Sequence, residues 1–326
     1  MKIASILQGD YRLATRAGSD QSDYLGVYAG DLLSVVMKSA KPQNVLVTVM
    51  ANMNAVAVAS RDDCTGGSGR RRPDRNDVQG GRRHHRPRAA RTLMNYHYDL
   101  HVHSVLSPCA DVLMTPNNLF NMATLKGLDI LSVTDHNSLK QLPVLERIAQ
   151  SYALLFVPGV EVTIQDGSHV LCYFRRLDAA MEFDRELEAL LDKTPEGPVR
   201  IGEPILTDEE DLTAAVLPYR LHQNLPIDLP ALCGMLDRHE HLRFFAHVDR
   251  PTNSGLGLIG TMPMDGVELS LHAHPGFLKE HGLAGVMTLR NSDAHDLAAI
   301  AERRDDNVID LPELTMEALF RRLSRG

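Results

Sequence analysis

From about residue 96 onward the sequence predicts an α/β fold built on a mostly parallel sheet or barrel. Three observations lead there. Short β-branched segments at 98–103, 130–134, 154–157, 170–174, 244–247, 266–269 and 285–289 alternate with helical patterns at 116–126, 142–151, 179–191, 207–217, 228–238 and 314–323. Such alternation sets successive strands in parallel, joined by crossover helices. Histidines and acids fall at the ends of these strands, and the composition changes sharply just upstream.

The first 64 residues are mixed in character. Residues 31–38 (DLLSVVMK) have helical spacing, 44–50 (NVLVTVM) read as a strand, and 54–60 (NAVAVAS) fit either a buried helix start or a second strand. Residues 65–92 then carry nine arginines, five glycines and two prolines, with Val78 the sole large aliphatic side chain. Such a stretch cannot bury a core and is expected to be a flexible, disordered linker. An arginine-rich arm for anionic surfaces and a stretch translated out of its ancestral frame are the other two readings. The expected domains are therefore 1–64, a small α/β segment; 65–95, the linker; and 96–326, the main α/β domain.

Bulk properties exclude several classes. A net charge of −8 over 326 residues argues against a nucleic-acid backbone as the main partner. Aromatic residues are 5% and tryptophan is absent, so a base-stacking platform is not expected. The apolar runs fall far short of the ~20 residues that span a bilayer, and 3–7 is too short for a secretory segment. A cytoplasmic protein without membrane contact is the expectation. Four cysteines, Cys64, Cys109, Cys172 and Cys233, form no CxxC pair and no disulfide framework.

The chemistry lies in the strand ends. In YDLHVHS, His101 and His103 are two apart on a strand and project from one face. Later strands run into TDHN with His136, GVEVT with Glu161 and AHVDRP with His247. Another strand begins at His169, and the last ends in NSDAH, placing Asp293 and His295 two apart. Any single histidine here is more economically a hydrogen-bonded structural residue. So many at strand ends point instead to a metal centre, because barrels build their sites at the C-terminal ends of strands.

Through DLHVHS, TDHN, GVEVT, AHVDRP and NSDAH, in that order, the chain resembles the PHP (polymerase and histidinol phosphatase) superfamily over about 230 residues. The segments SPCADVLMTPNN and GEPILTDEED are similar to a stand-alone subgroup found beside iron-only hydrogenase genes. Residues 26–34 and the strand text after them resemble a DRTGG domain that is cut short near Cys64. The resemblance implies a distorted (β/α)7 barrel holding two or three divalent metal ions (Zn, Mn or Fe). It implies a first metal on His101, His103, Glu161 and Asp293, and a second on Glu161, His169 and His247. A third would rest on His136 and His295, with one more ligand from Asp111 or Cys109. Asp111 is preferred there, since a carboxylate suits any of these metals whereas a thiolate favours zinc.

The expected activity is hydrolysis of a phosphomonoester or short phosphodiester by hydroxide formed on a di- or trinuclear site. Asp293, His247 and Arg250 are the expected catalytic residues, with Arg250 a phosphate clamp or an ordinary ion pair. Asp99, Asp135 and Asn137 either orient imidazoles or cap strand ends. His272 and His274 form a second HxH that reads as loop. The expected partner is a small phosphorylated substrate, and nucleic acid enters only as a short oligonucleotide substrate. A non-catalytic metal- or ligand-binding regulator tied to hydrogenase or redox metabolism is the alternative. Neither substrate nor oligomeric state is legible.

Overall fold

A computed structural model describes residues 26–29, 44–47, 93–194 and 202–324. The chain divides into two units, Met1–Thr92 and Leu93–Gly326. In the first, β1 (Gly26–Ala29) pairs in parallel with β2 (Asn44–Val47). The expected helix at 31–38, the segment 54–60 and the linker at 65–92 lie outside the described residues.

The second unit is a curled eight-stranded sheet with helices packed against it. Strand β3 (Met94–Val102) is followed by helix α1 (Pro116–Leu125), β4 (Ile130–Val133), α2 (Leu142–Ala149), β5 (Leu155–Thr163) and β6 (His169–Phe174). Next come α3 (Leu177–Leu190), the hairpin β7 (Ile205–Thr207) and β8 (Thr213–Val216), α4 (Leu229–Leu236) and β9 (His241–Phe245). The chain ends with β10 (Gly266–Ser270), the single turn α5 (Phe277–Glu280), β11 (Thr288–Asn291), β12 (Val308–Leu311) and α6 (Met316–Leu323). Strand order is β11-β10-β9-β6-β5-β4-β3-β12.

The pairings β3–β4, β4–β5, β9–β10 and β10–β11 are parallel, while β5–β6, β6–β9 and β3–β12 are antiparallel. Because β6 runs backwards, His169 at its start lies level with Thr163 at the end of β5. The sheet also returns on itself. Val102 at the end of β3 bridges in parallel to Ala294 just past β11, and the His103 N–H donates to the Ala294 carbonyl at 2.9 Å. Seven strands thus curl into a barrel, with β12 added outside β3.

The period-two alternation of strands separates an inner from an outer face. Tyr98, Leu100, Ile130, Val157, Leu171, Tyr173, Phe244 and Leu289 form one buried cluster. Leu131, Val133, Val160, Val170, Phe245 and Val267 belong to a second cluster that includes residues of α1 to α4. On β4 and β5 the inner positions continue upward from the apolar layer through Ser132 and Gly159 to His136 and Glu161. Gly159 is required there, since a Cβ would stand 2.6 Å from Ser132 Oγ and 2.8 Å from Thr134 Cγ2.

Two sequence expectations fail. Residues 207–217 are the β7–β8 hairpin, not a helix. Asp208 Oδ1 accepts from the backbone N–H groups of Glu210 and Leu212, both at 2.9 Å, and Asp211 adopts φ 62. Side-chain capping of this kind favours a turn over a helix's first turn. The strand expected at 285–289 starts three residues later, at Thr288.

Candidate metal centre

Six of the seven barrel strands contribute a polar group at or just beyond one end, and β10 contributes Glu268 from its middle. A register shift between Asp99 and Val102 interrupts the β3 ladder, and such bulges redirect side chains. It allows Leu100 to join the apolar cluster while the adjacent His101 joins the polar one. Three site residues stand in the left-handed region, Asn137 at φ 51, His247 at φ 26 and Asp293 at φ 53. Backbone strain of this type is characteristic of functional sites.

Four donors converge at the centre. His101 Nε2 is 3.2 Å from His103 Nε2, 3.1 Å from Asp293 Oδ1 and 3.4 Å from Glu161 Oε1. His103 Nε2 is 3.0 Å from Asp293 Oδ1 and 3.4 Å from Glu161 Oε2. Donors ~2 Å from one tetrahedral ion stand roughly 3.3 Å from each other. The spacing therefore fits a single small cation.

Glu161, 1% exposed, reaches further. Its Oε1 lies 2.6 Å from His169 Nδ1 and 3.1 Å from His247 Nε2. Its Oε2 lies 3.0 Å from His136 Nδ1, yet neither of those two atoms completes a hydrogen bond. His169 Nε2 and His247 Nδ1 are likewise buried without a partner. Buried nitrogens left without a partner are costly as they stand, and His136 Nδ1, orphaned beside the Glu161 carboxylate, suits a metal ligand. The donor set fits divalent ions.

The electrostatics agree. Burial alone would push His101 down, but Glu268, Asp293 and Glu161 together carry it well above its ordinary value. His103, equally buried, is raised to about 9 by Asp293 and Glu161. Against the opposing effect of burial, His169, His101 and His136 hold the Glu161 carboxyl well below the usual range. His136 and His295 are pushed down to about 3 and about 4, by burial first and then by the charge on His103. The centre therefore stores positive charge on His101 and His103 where a cation fits, and keeps His136 and His295 neutral with free lone pairs.

Supporting contacts hold the imidazoles. Glu268 of β10, 1% exposed, lies 2.9 Å from His101 Nδ1, accepts from the His247 N–H at 2.8 Å and from Asn291 Nδ2 at 2.7 Å. Sequence reasoning missed it, because a glutamate inside GVELS looks like ordinary alternation. Asp135 acts through a hydroxyl: Ser107 donates to Asp135 Oδ1 at 2.6 Å, and its oxygen is 3.0 Å from His103 Nδ1. Asp99 accepts from Ser292 and the Ala301 N–H, which ties the NSDAH turn to β3. Neither aspartate touches an imidazole ring.

Asn137 orients no imidazole either. Its Nδ2 donates to the carbonyls of Leu221 and Gln223, both at 2.8 Å, and its Oδ1 accepts from the Thr163 N–H at 2.9 Å. This grip brings in His222, a residue that no motif announced. The His222 ring sits 4.8 Å from that of His136, nearly perpendicular to it.

The remaining expectations divide. His103, His136 and His295 form one donor group, and Cys109, His136 and His222 another. Burial pushes the Cys109 thiol up to about 12. Asp111 joins no donor group among the described residues. It is exposed, its carboxylate accepts from the Leu113 N–H at 2.8 Å, and its own N–H donates to the His295 carbonyl at 2.8 Å. Arg250 Nη1 donates to Asp293 Oδ2 at the rim. His272 and His274 are exposed and in none of these groups.

No family model matches the chain, and no curated protein does. Solved structures do. One is an Endonuclease Q bound to a 27-mer duplex with an abasic lesion, 22% identical, with a TM-score of 0.53, covering 70% of this chain and 56% of that one. Another is the lesion-specific endonuclease PfuEndoQ from Pyrococcus furiosus, 21% identical, with a TM-score of 0.54, covering 71% and 56%. A two-domain protein from Bacteroides vulgatus, described as containing a predicted PHP-like metal-dependent phosphoesterase, is 18% identical, with a TM-score of 0.42, covering 75% and 67%. The chain thus spans just over half the length of the two endonucleases. Neither the hydrogenase-linked subgroup nor the DRTGG likeness is among these findings. The curled sheet, returning from β11 to β3 with its ring of inward imidazoles and carboxylates, shares its α/β barrel-like fold with the two endonucleases.

Proposed function

We propose that the protein is a metal-dependent hydrolase of phosphoester bonds, acting at a di- or trinuclear centre. The observation that carries this is the convergence of His101, His103, Glu161 and Asp293, with the two imidazole Nε2 atoms 3.2 Å apart and each 3.0–3.4 Å from both carboxylates, and one donor atom of each residue within 4.8 Å of the others. Divalent ions bound there supply Lewis acidity, acidifying water and neutralising charge on phosphoryl oxygens.

The chain's own residues position and balance that chemistry. His101, His103, Glu161 and Asp293 would hold a first ion, and Glu161, with His169 and His247 beside it, would supply ligands to a second. His136 and His295, neutral at physiological pH, supply lone pairs at a third. Asp293 splits its oxygens, Oδ1 toward the two histidines and Oδ2 toward Arg250. Arg250 is 38% exposed and paired with Asp293, so a substrate phosphate clamped by its guanidinium would be coupled to the ligand carboxylate. His247, strained at φ 26, is held by Glu268 through its backbone N–H.

The substrate is a phosphomonoester or phosphodiester. The likeness to endonucleases, one of them bound to a lesion-bearing duplex, runs against setting nucleic acid aside on net charge alone. Among the described residues no helix is long and apolar enough to cross a membrane.

The test is elemental analysis of protein purified without chelator, paired with hydrolysis of p-nitrophenyl phosphate, its bis-ester and an abasic duplex. Two or three equivalents of metal are expected. Activity on at least one substrate is expected to vanish on chelation and in His101→Ala and Asp293→Ala. Full loading with no hydrolysis of any ester would favour a metal-binding regulator, and absence of metal would overturn the centre itself.

A further inference from the structure

The centre is covered unevenly. His136, Glu161, His169 and His247, at the ends of β4, β5, β6 and β9, are each 5% exposed or less. Toward β11 the His295 side chain is 32% exposed and that of Arg250 38%. Residues 219–225, between the β7–β8 hairpin and α4, make the difference. They run along the ends of β4 and β5 and set the exposed His222 ring 4.8 Å from that of His136. From this one-sided cover, and resting on the phosphoesterase reading above, we infer that residues 219–225 are a specificity strap. It restricts the centre to phosphoryl groups with a single organic substituent, that is, to terminal phosphates, and excludes internal phosphodiesters.

The strap is fixed from below and from outside. Tyr219, Leu221 and Leu225 are buried in the cluster that includes α1 to α4. Asn137 donates to the carbonyls of Leu221 and Gln223, both at 2.8 Å, and the Leu225 N–H donates to the Thr163 carbonyl at 2.9 Å. On the outer side the Tyr219 hydroxyl donates to Glu188 of α3 at 3.0 Å, and Gln223 Oε1 accepts from the Asp192 N–H at 2.9 Å. The cover continues beyond the strap. Asn224 Nδ2 donates to the Gln165 carbonyl of the β5–β6 turn at 3.3 Å. That turn is bonded to the loop after β9: Asn253 Nδ2 donates to the Gly167 carbonyl at 2.8 Å, and the His169 N–H donates to the Asn253 carbonyl at 2.9 Å. Three segments thus join edge to edge from β4 round to β9.

The shape of the ester decides what fits. A phosphomonoester has one P–O bond to an organic group and three small oxygens, so a single exit suffices. An internal phosphodiester sends two organic groups outward from a tetrahedral phosphorus, and the second needs an exit of its own. The wall from β4 to β9 closes that direction, and discrimination by a built-in clash needs no contact with the favoured substrate. The single substituent leaves past Arg250 and His295. Its P–O bond breaks, a water oxygen takes its place on phosphorus, and the departing alcohol takes up a proton from that water. A nucleic acid enters such a site only by a phosphorylated end.

Steady-state kinetics on the full-length, metal-loaded protein test the strap, with p-nitrophenyl phosphate, its bis-ester and an end-phosphorylated duplex containing an abasic site. The wild type is expected to favour the monoester over the bis-ester by about 100-fold in kcat/KM and to leave the duplex uncut internally. His222→Gly removes the ring that stands over His136. It is expected to raise the bis-ester to monoester ratio roughly tenfold or more at unchanged metal content. Comparing ratios between variant and wild type cancels the differing reactivity of the two esters. Tyr219→Phe/Gln223→Ala, which frees the strap from α3 and its flank, is expected to move the ratio the same way, and thermal denaturation checks that both variants fold. Internal scission by the wild type, or a ratio unmoved in both folded variants, would overturn the strap and leave the hydrolase reading standing. A loaded protein inert toward every ester would overturn the hydrolase reading, and the strap with it.

Discussion

At the scale of single residues, the centre is governed by a few carboxylates that never face solvent. Glu268 holds together three groups from different strands: the His101 ring, the His247 backbone and the Asn291 amide. All three are donors toward it, so an ionised carboxylate satisfies them and an amide cannot. Glu268→Gln would place an NH2 group against a donor and remove the charge that keeps His101 a strong ligand. A loss of 10–100-fold in metal affinity is expected, read by competition with a chromophoric chelator, and an unchanged affinity would refute this role. Residues of this sort are the ones the sequence hides. The HxH, TDH and DAH histidines announce themselves by clustering at strand ends, whereas Glu268 sits mid-strand between apolar neighbours. His222 belongs to a segment with no periodicity or motif. Its placement depends on Asn137, a contact across 84 residues of chain.

At the scale of elements, the barrel mouth exists because β4 and β5 lie close enough for His136 and Glu161 to pair in register, as their isolated bridge shows. Gly159 permits that approach. Ser132 Oγ is pinned by its own hydrogen bond to the Val157 carbonyl at 2.8 Å, and the Tyr173 ring stands 3.0 Å from the added Cβ on another side. Gly159→Ala is therefore expected to cost about 1–3 kcal/mol by overpacking. A lowered urea midpoint with an unchanged m-value would show it, and an unmoved midpoint would mean that β4 and β5 part freely. The same two strands show what sequence periodicity conveys. β4 was legible as a β-branched run. β5 was legible only to 157, because Pro158 and Gly159 look like a turn although the strand continues to Thr163. Acidic residues misled in the opposite direction at 208–211, where capping bonds made a turn inside an apparently helical pattern. β12 went unnoticed because its four residues have no pattern of their own and owe their structure to antiparallel pairing with β3.

At the scale of the whole molecule, the centre links folding, protons and metal. Its resting charges imply a stability maximum near neutrality for the chelated protein. His103 has a folded pKa of about 9 against 6.5 for an ordinary histidine. Its contribution is complete below 6.5 and is lost as pH rises through 9, because the folded state then gives up a proton that the unfolded chain had already released. A shift of this size corresponds to on the order of 3 kcal/mol, or several degrees of Tm for a unit this large. His136 and His295 work from the other side. Burial first, and then the His103 charge, hold them to about 3 and about 4. Below 6.5 the unfolded chain therefore binds protons that these two refuse, and stability falls again toward acid. Metal reverses the alkaline arm. An ion takes the place of the protons on His101 and His103, so its affinity rises with pH over the same window and stabilises the fold through mass action. Thermal denaturation from pH 6.5 to 9, with and without chelator, should give falling Tm values for the stripped protein and a gap that widens with pH for the zinc-loaded one. A stripped protein whose Tm stays level or climbs over that range would mean that the two HxH imidazoles do not carry the charge assigned to them.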